Sequence, residues 1–299
     1  MSVIKSFSVG LGDMFYISHG NSNLTVIDCC LSDDNRDDIV EEINEKKSDK
    51  KITRFISTHP DEDHIQELGY FDDKTSILNF YCVSNSATKD GETNGFKRYK
   101  KNQDGGSAFF IEKGCLRKWM NRDGEDDSGT IIGGSGINIL WPDVTNQHFK
   151  DALCSANDGQ SPNNISPIIK YSLEGGVTAI WMGDLDTSFM ENILNEVDLP
   201  KTNLLFAPHH GRKSGKIPAK WIDAMDPDLI IMGEANSKNS DYASYPNHNK
   251  IRQNSAKDIT FDCISGKIHC YSSNPNYEVD FLENESQARF DYYIGTLNI

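Results

Sequence analysis

Between residues 59 and 64 the chain places two histidines and three carboxylates, His59-Pro60-Asp61-Glu62-Asp63-His64, directly behind a short apolar run, Ile52 to Ser57. A run of that length reads as a buried strand, and its end anchors the polar loop that follows. Charges of one sign crowded at the root of a buried strand repel. Each costs on the order of several kcal/mol unless it is paired or bound to a metal. An exposed acidic loop with incidental histidines is the competing reading, and the strand before it argues for burial instead. The chain must therefore adopt a fold in which a strand end fans these side chains toward one point.

The rest of the chain supplies more strand ends of this kind. Val3 to Val9 reads as a strand, the Gly10-Leu11-Gly12-Asp13 turn follows, and Phe15 to Ser18 resumes the pattern. After the Gly20-Asn21-Ser22-Asn23 turn, Leu24 to Asp28 is a strand ending on an acid. Asp34 to Lys46 carries Ile39, Val40 and Ile43 at helical spacing. Strands return at Ile165 to Leu173, Val177 to Met182, Asn203 to Ala207, Asp228 to Met232, Ile259 to Ile264 and Lys267 to Tyr271, with a helix over Thr187 to Val197. Lys89 to Gly106 and Asn121 to Gly136 read as polar loops around a helix from Phe109 to Met120, and Asp143 to Asn164 as a further irregular stretch. Alternating strands and helices in both halves predict a layered α/β (α+β) architecture, two sheets packed inside helices. The expectation is one domain over 1–299, with insertions around 85–136 and 143–163.

Two later strand ends also carry chemistry. Val177 to Met182 leads to Gly183-Asp184, and Asn203 to Ala207 leads to Pro208-His209-His210-Gly211. Asp184 is the candidate carboxylate to bridge two metal ions, which such sites hold about 3.5–4 Å apart. Its alternative is a helix N-cap, for which Asp186 is better placed.

These segments resemble, in order, the motifs of the metallo-β-lactamase superfamily. His59 to His64 resembles its H-x-H-x-D-H signature with an aspartate, Asp61, at the second histidine. More narrowly it is similar to the H-P-D-x-D-H form of the ComEC-type hydrolase domain and its stand-alone relatives. Val9 to Asp13 resembles the opening V-G-Q-G-D, with Leu11 for the glutamine. Asp28, Asn164 with Ser166, Gly183-Asp184-Leu185, Pro208 to Gly211 and Tyr245-Pro246 match later elements, and Arg212 stands where a serine is usual. The resemblance spans roughly residues 3 to 250. It implies a four-layer αββα sandwich and a hydrolase with two divalent metal ions.

By the same resemblance, His59 and Asp61 would hold one ion, Asp63 and His64 the other, with Asp184 between them. One of His209 and His210 completes the second site. His210 is preferred, with His209 facing substrate, and the sequence leaves that choice open. Asp63, Asp184 and His209 are then the expected catalytic groups. Asp28 would orient a ligand histidine, although strand-terminal aspartates are often turn residues. Asn164 is the nearest in order to a missing third histidine. Arg212 and Lys213 are candidate contacts for a substrate phosphate. So oxygen-rich a ligand set shifts preference from Zn²⁺ toward Mn²⁺ or Mg²⁺.

The expected reaction is hydrolysis of a phosphodiester, nucleic acid included, by water activated at the two-metal site. A net charge of −15 argues against non-specific nucleic-acid binding. It keeps open a small signalling nucleotide, lactone or thioester as substrate, and, further off, a metal-bound scaffold without activity. Lys89, Lys97, Arg98, Lys100 and Lys101 are the candidate local basic track that would reverse that argument. Seven cysteines without a C-x-x-C pair predict reduced core thiols. No cationic leader or long apolar run is present, so the expectation is a cytoplasmic protein without membrane contact. His19 reads as a surface residue.

Overall fold

The computed structural model describes residues 1–236, 238, 243–290 and 292–299. Its framework is two sheets. The larger has nine strands, in spatial order Tyr293–Asn298, Lys267–Ser272, Ile259–Ile264, Ser2–Ser6, Phe15–Ser18, Asn23–Ile27, Ile52–Ile56, Phe80–Cys82 and Ala108–Phe110. The smaller has six: Ile137–Trp141, Ile168–Ser172, Thr178–Trp181, Leu204–Phe206, Leu229–Met232 and Lys250–Arg252.

Strand alternation explains the layering. In the larger sheet Ile4, Phe15, Ile17, Ile27 and Ile56 join the inner core between the sheets. Their neighbours Val3, Tyr16, Val26 and Phe55 point the other way, onto Ile39, Val40 and Ile43 of helix Arg36–Lys47, Phe71 of helix Leu68–Thr75, and Phe96 and Tyr99 of helix Asn94–Gln103. Phe15 meets Trp181 and Phe206 edge-on across the gap between sheets. On the far side of the smaller sheet, Trp141 packs on Phe149 and Phe189, from helices Gln147–Asn157 and Thr187–Asn192. The result is the four-layer αββα sandwich.

Three stretches differ from the expectation. The loop of 89–106 contains helix Asn94–Gln103, nucleated where the Thr93 hydroxyl accepts from Phe96 N and anchored by buried Phe96 and Tyr99. The irregular stretch of 143–164 contains helix Gln147–Asn157, capped by the Asn146 side chain. In both, polar residues dominate and only a few buried positions carry the helix. The helix expected at 109–120 is absent. Ala108–Phe110 instead pairs with Phe80–Cys82 at the sheet edge, and turns follow. No disulfide occurs among the described residues. None of their helices is long and apolar enough to cross a membrane.

Candidate metal centre

The polar side chains gather at one end of the sandwich, where strands of both sheets stop. Asp28 follows Asn23–Ile27, His59 follows Ile52–Ile56, Asp184 follows Thr178–Trp181, and His210 follows Leu204–Phe206. Three of the site's non-glycine residues have left-handed backbone: Asp28 (φ 57°), His209 (φ 54°) and His210 (φ 55°). Such conformations are uncommon outside glycine and concentrate where side chains must be aimed. Two glycines let the loops close. A Cβ on Gly183 would lie 2.6 Å from Ser166 Oγ, and one on Gly12 would lie 2.4 Å from the Asp63 carbonyl oxygen. Gly12 thus permits the Asp13 amide to donate to that oxygen at 3.1 Å.

His59 and His64 are hydrogen-bonded through Nδ1 and present Nε2 to the centre, and His210 sets its Nδ1 against a carboxylate at ion-pair distance without hydrogen-bond alignment. His64 Nδ1 lies 2.8 Å from Asp28 Oδ2, and Asp28 accepts in turn from the Thr58 amide and hydroxyl, each at 2.7 Å. His210 Nδ1 lies 3.0 Å from Asp13 Oδ1. His59 Nδ1 has the Thr58 and Ser166 hydroxyls at 3.1 and 3.2 Å. Carboxylates or hydroxyls behind a ring orient it and set its tautomer, as around metal-binding histidines generally.

The Nε2 atoms of His64 and His210 converge on Asp184. Its Oδ1 is 3.1 Å from His64 Nε2, and its Oδ2 is 3.4 Å from His210 Nε2. Asp63 Oδ2 is 3.3 Å from the same His210 nitrogen. The His64–Asp184 contact is close but not aligned as a hydrogen bond, and the buried Nε2 atoms of His59 and His64 have no hydrogen-bond partner. Buried polar atoms are rarely left so. One ligand atom each from Asp13, His64, Asp184 and His210 lies within 4.8 Å of the others. These orphaned donors, with imidazole and carboxylate together, fit a divalent cation.

Electrostatics agree with that fit. Burial lowers the basicity of His64, but the Asp184 and Asp28 carboxylates more than offset it and hold its pKa well above the ordinary value. His210 behaves likewise, against burial, through Asp184 and Asp13. His59 is pushed well below its ordinary value by burial and by neighbouring His64. Asp28 is raised by burial, which His64 and Thr58 only partly offset.

The other expected residues sit around this core. Asp61 Oδ2 is 3.9 Å from His59 Nε2, while its Oδ1 accepts from Lys89 at 2.5 Å. His209 lies at the rim, its Nε2 3.7 Å from Asp184 Oδ2 and 3.3 Å from the Arg212 guanidinium, its Nδ1 3.0 Å from Ser214 Oγ. Arg212 also reaches to 4.0 Å from Asp63. Asn164 does not enter the cluster. Its side-chain amide donates to Asp186 and its carbonyl oxygen accepts from the Asp186 amide, so it braces the loop after Asp184. Lys213 is on the exposed face of the turn after His210. His19 is a correction: it is buried, with Nε2 2.9 Å from Thr25 Oγ1, because the turn around Gly20 folds it between the sheets. The basic track is largely neutralised, with Lys89 on Asp61, Arg98 on Asp72 and Asp73, and Lys100 on Glu92.

Asp13 was not among the expected site residues, although it ends the Gly10-Leu11-Gly12-Asp13 turn. A glycine-flanked acid at a strand-to-strand turn was its signal. Lys89 was expected only as part of the basic track, because nothing in a polar loop shows which carboxylate a lysine will meet.

No family model matches the chain, and no curated protein matches it. Among solved structures it is similar to CmlA, a diiron β-hydroxylase from Streptomyces venezuelae, at 14% identity and a TM-score of 0.45, over 87% of this chain and 53% of that one. The chain thus spans about half the length of that protein. It is also similar to a Thermotoga maritima protein described as a zinc-dependent hydrolase of the metallo-β-lactamase superfamily, at 12% identity and a TM-score of 0.33, over 79% of this chain and 77% of that one. A β-lactamase from Chitinophaga pinensis is similar at 13% identity and a TM-score of 0.35, over 74% and 84%. Identity this low leaves the chemistry to be argued from the site's own side chains.

Proposed function

We propose that the protein is a metal-dependent hydrolase of the metallo-β-lactamase type that cleaves phosphodiesters. The observation that carries this is the convergence of His64 Nε2 and His210 Nε2 on opposite oxygens of the buried Asp184 carboxylate. Asp63, His64, Asp184 and His210 would hold one divalent ion, and His59 and Asp61, with Asp184 shared, a second. When bound, such ions lower the pKa of water and polarise the phosphoryl group.

The protein's own residues do the rest. Asp28 keeps His64 turned inward through its hydrogen bond to Nδ1, and the Asp13 carboxylate attracts the Nδ1 side of His210. Asp61 and Asp63, whose side chains are 27% and 32% exposed, mark the open side where substrate enters. Lys89 and Arg212 stand on that side. Two cations bracketing a carboxylate-rich floor suit an anionic phosphodiester. A neutral lactone or thioester needs neither. Arginine only donates, so His209 Nε2 accepts from Arg212 and holds it at the rim. Once a phosphate draws Arg212 away, the lone pair of that nitrogen is free to take a proton from the attacking water, and only after gaining it can the ring return a proton to the leaving oxygen.

A small phosphodiester, such as a signalling nucleotide, is the better-supported substrate class. Three of the five residues in the basic segment 89–101 are paired with carboxylates, and the net charge is −15. Nucleic acid, the substrate that goes with ComEC-type relatives, is the second reading. The test is hydrolysis of bis(p-nitrophenyl) phosphate and of linear single- and double-stranded DNA, with Mn²⁺, Mg²⁺ and Zn²⁺ separately and Asp63→Ala and Asp184→Ala as controls. Cleavage of the small diester, lost in both variants, is expected. Folded, metal-loaded protein that cleaves neither diester would end the proposal.

A further inference from the structure

The two candidate metal positions are not equally free. Around Asp184, the nitrogens of His64 and His210 and the Asp63 carboxylate face one another, and the nearest lysine or arginine cation, the Arg212 guanidinium, stays 4.0 Å from Asp63 without a hydrogen bond to it. The position beside it is different. His59 is 1% exposed and its Nε2 lacks a hydrogen-bond partner, so it points to a ligand. Yet Asp61, the only acid that pairs with His59 among the described residues, already carries a cation: Lys89 Nζ, 2.5 Å from Oδ1. Lys89 is held from its other side as well, 5.6 Å over the Phe96 ring, on the first turn of helix Asn94–Gln103. No third histidine compensates, because Asn164 is committed to Asp186.

We infer that Lys89 is a built-in competitor for the second metal ion, so that the protein loads its ions stepwise: one tightly between Asp63, His64, Asp184 and His210, and one at His59 and Asp61 only as Lys89 leaves Asp61. The inference rests on the metal-centre reading above and concerns the ligand set alone. An ammonium group and a divalent cation cannot share one carboxylate without mutual repulsion, so whichever binds weakens the other by the same factor. The lysine also gives the chain a way to couple loading to substrate. A phosphate that attracts Lys89 releases Asp61 for the ion.

The test is metal stoichiometry and affinity, without any assay of turnover. Protein stripped with chelator is titrated with Mn²⁺ and, separately, Zn²⁺ by calorimetry, and bound metal is counted by mass spectrometry after desalting. Wild type is expected to show one tight and one weak ion. Lys89→Met should tighten the second ion by about tenfold or more while moving the first much less. Lys89→Arg, which keeps the cation, should behave as wild type, and Lys97→Met, at an exposed lysine of helix Asn94–Gln103, should change neither. Circular dichroism melting establishes that each variant is folded. Two ions of equal affinity in wild type, or an unchanged second affinity in Lys89→Met, would overturn the competitor role while leaving the metal centre standing. Folded wild type that takes up no ion would overturn both.

Discussion

Two buried polar clusters lie between the sheets, one where strands of both sheets end and one further back along Asn23–Ile27 and Ile52–Ile56. At the strand ends, Asp28, His59, His64, Asp184 and His210 gather. Further back, Arg54 is 2% exposed, and its guanidinium donates to Thr25 Oγ1 at 3.0 Å, to Asn23 Oδ1 at 2.8 Å and to the Trp119 carbonyl oxygen at 2.7 Å. His19 and Lys50 complete that cluster, Lys50 by donating to the carbonyl oxygens of His19 and Asn21. Both clusters bury charge. The deeper one sits on strand backbone, where Arg54 and Lys50 donate to neutral acceptors and tie the loop at Trp119 to the sheet, although Arg54 Nε and His19 Nδ1 find no partner. The upper one sits on loops with left-handed residues, and the Nε2 atoms of His59 and His64 stand beside carboxylates without a hydrogen-bond partner. Buried polarity by itself therefore marks nothing. Lone pairs converging on a shared carboxylate mark a ligand site, while donors matched to carbonyls mark structure.

That contrast can be broken from either side. The largest effect is expected at Asp184. Asp184→Ala should lower metal-dependent hydrolysis by on the order of a thousandfold, as loss of a central catalytic group does, with the melting temperature of the metal-free protein changed little. A variant that keeps its activity would remove Asp184 from the chemistry. Arg54→Met should do the reverse. It removes three charge-assisted hydrogen bonds from the core and should cost about 3 kcal/mol in denaturant unfolding, with metal content per folded chain intact. Unchanged stability would mean that the cost of burying the guanidinium cancels its bonds.

Asp28→Asn tests the boundary, because Asp28 touches the ligand His64 and no metal position. Loss of the carboxylate behind a ligand histidine typically weakens metal retention by about 10–100-fold, and that is the expected result in a competition with chelator. Retention equal to wild type would make Asp28 a turn residue. The smallest effect belongs to His19. Burial, then Arg54 and Lys50, hold its pKa well below the ordinary value. The unfolded chain therefore takes up a proton near pH 6.5 that the folded chain refuses, so stability is full above that pH and falls as the pH drops below it. His19→Gln should flatten this fall, by up to about tenfold in the folding constant per pH unit. A pH profile parallel to wild type would place the titration elsewhere.

Much of the framework was legible from local signals. Alternation marked Phe15–Ser18 and Ile259–Ile264, and Ile39, Val40 and Ile43 marked helix Arg36–Lys47. The strands at Phe80–Cys82, Ile137–Trp141 and Tyr293–Asn298 were not anticipated. The last two are sheet edges and the first is a three-residue strand next to an edge, and only pairing to a neighbour makes them strands. Helices Asn94–Gln103 and Gln147–Asn157 were hidden for a related reason, since a few buried residues carry each and their caps are ordinary loop residues.

For the centre, the sequence by itself determined which residue types could meet a cation and that each would stand at a strand end. Density of histidine and carboxylate behind apolar runs is a local property, and it is readable without a fold. Only the tertiary structure decided which atoms face inward. Whether His209 or His210 turns its Nε2 to Asp184 depends on left-handed backbone at both and on Asp13 arriving from a distant turn. That Asp28 stands behind His64, that Asn164 braces Asp186, and that Lys89 meets Asp61 are contacts between segments far apart in the chain. Such contacts form when two sheets pack and their loops are brought within a few ångströms, and no pattern within one segment encodes them.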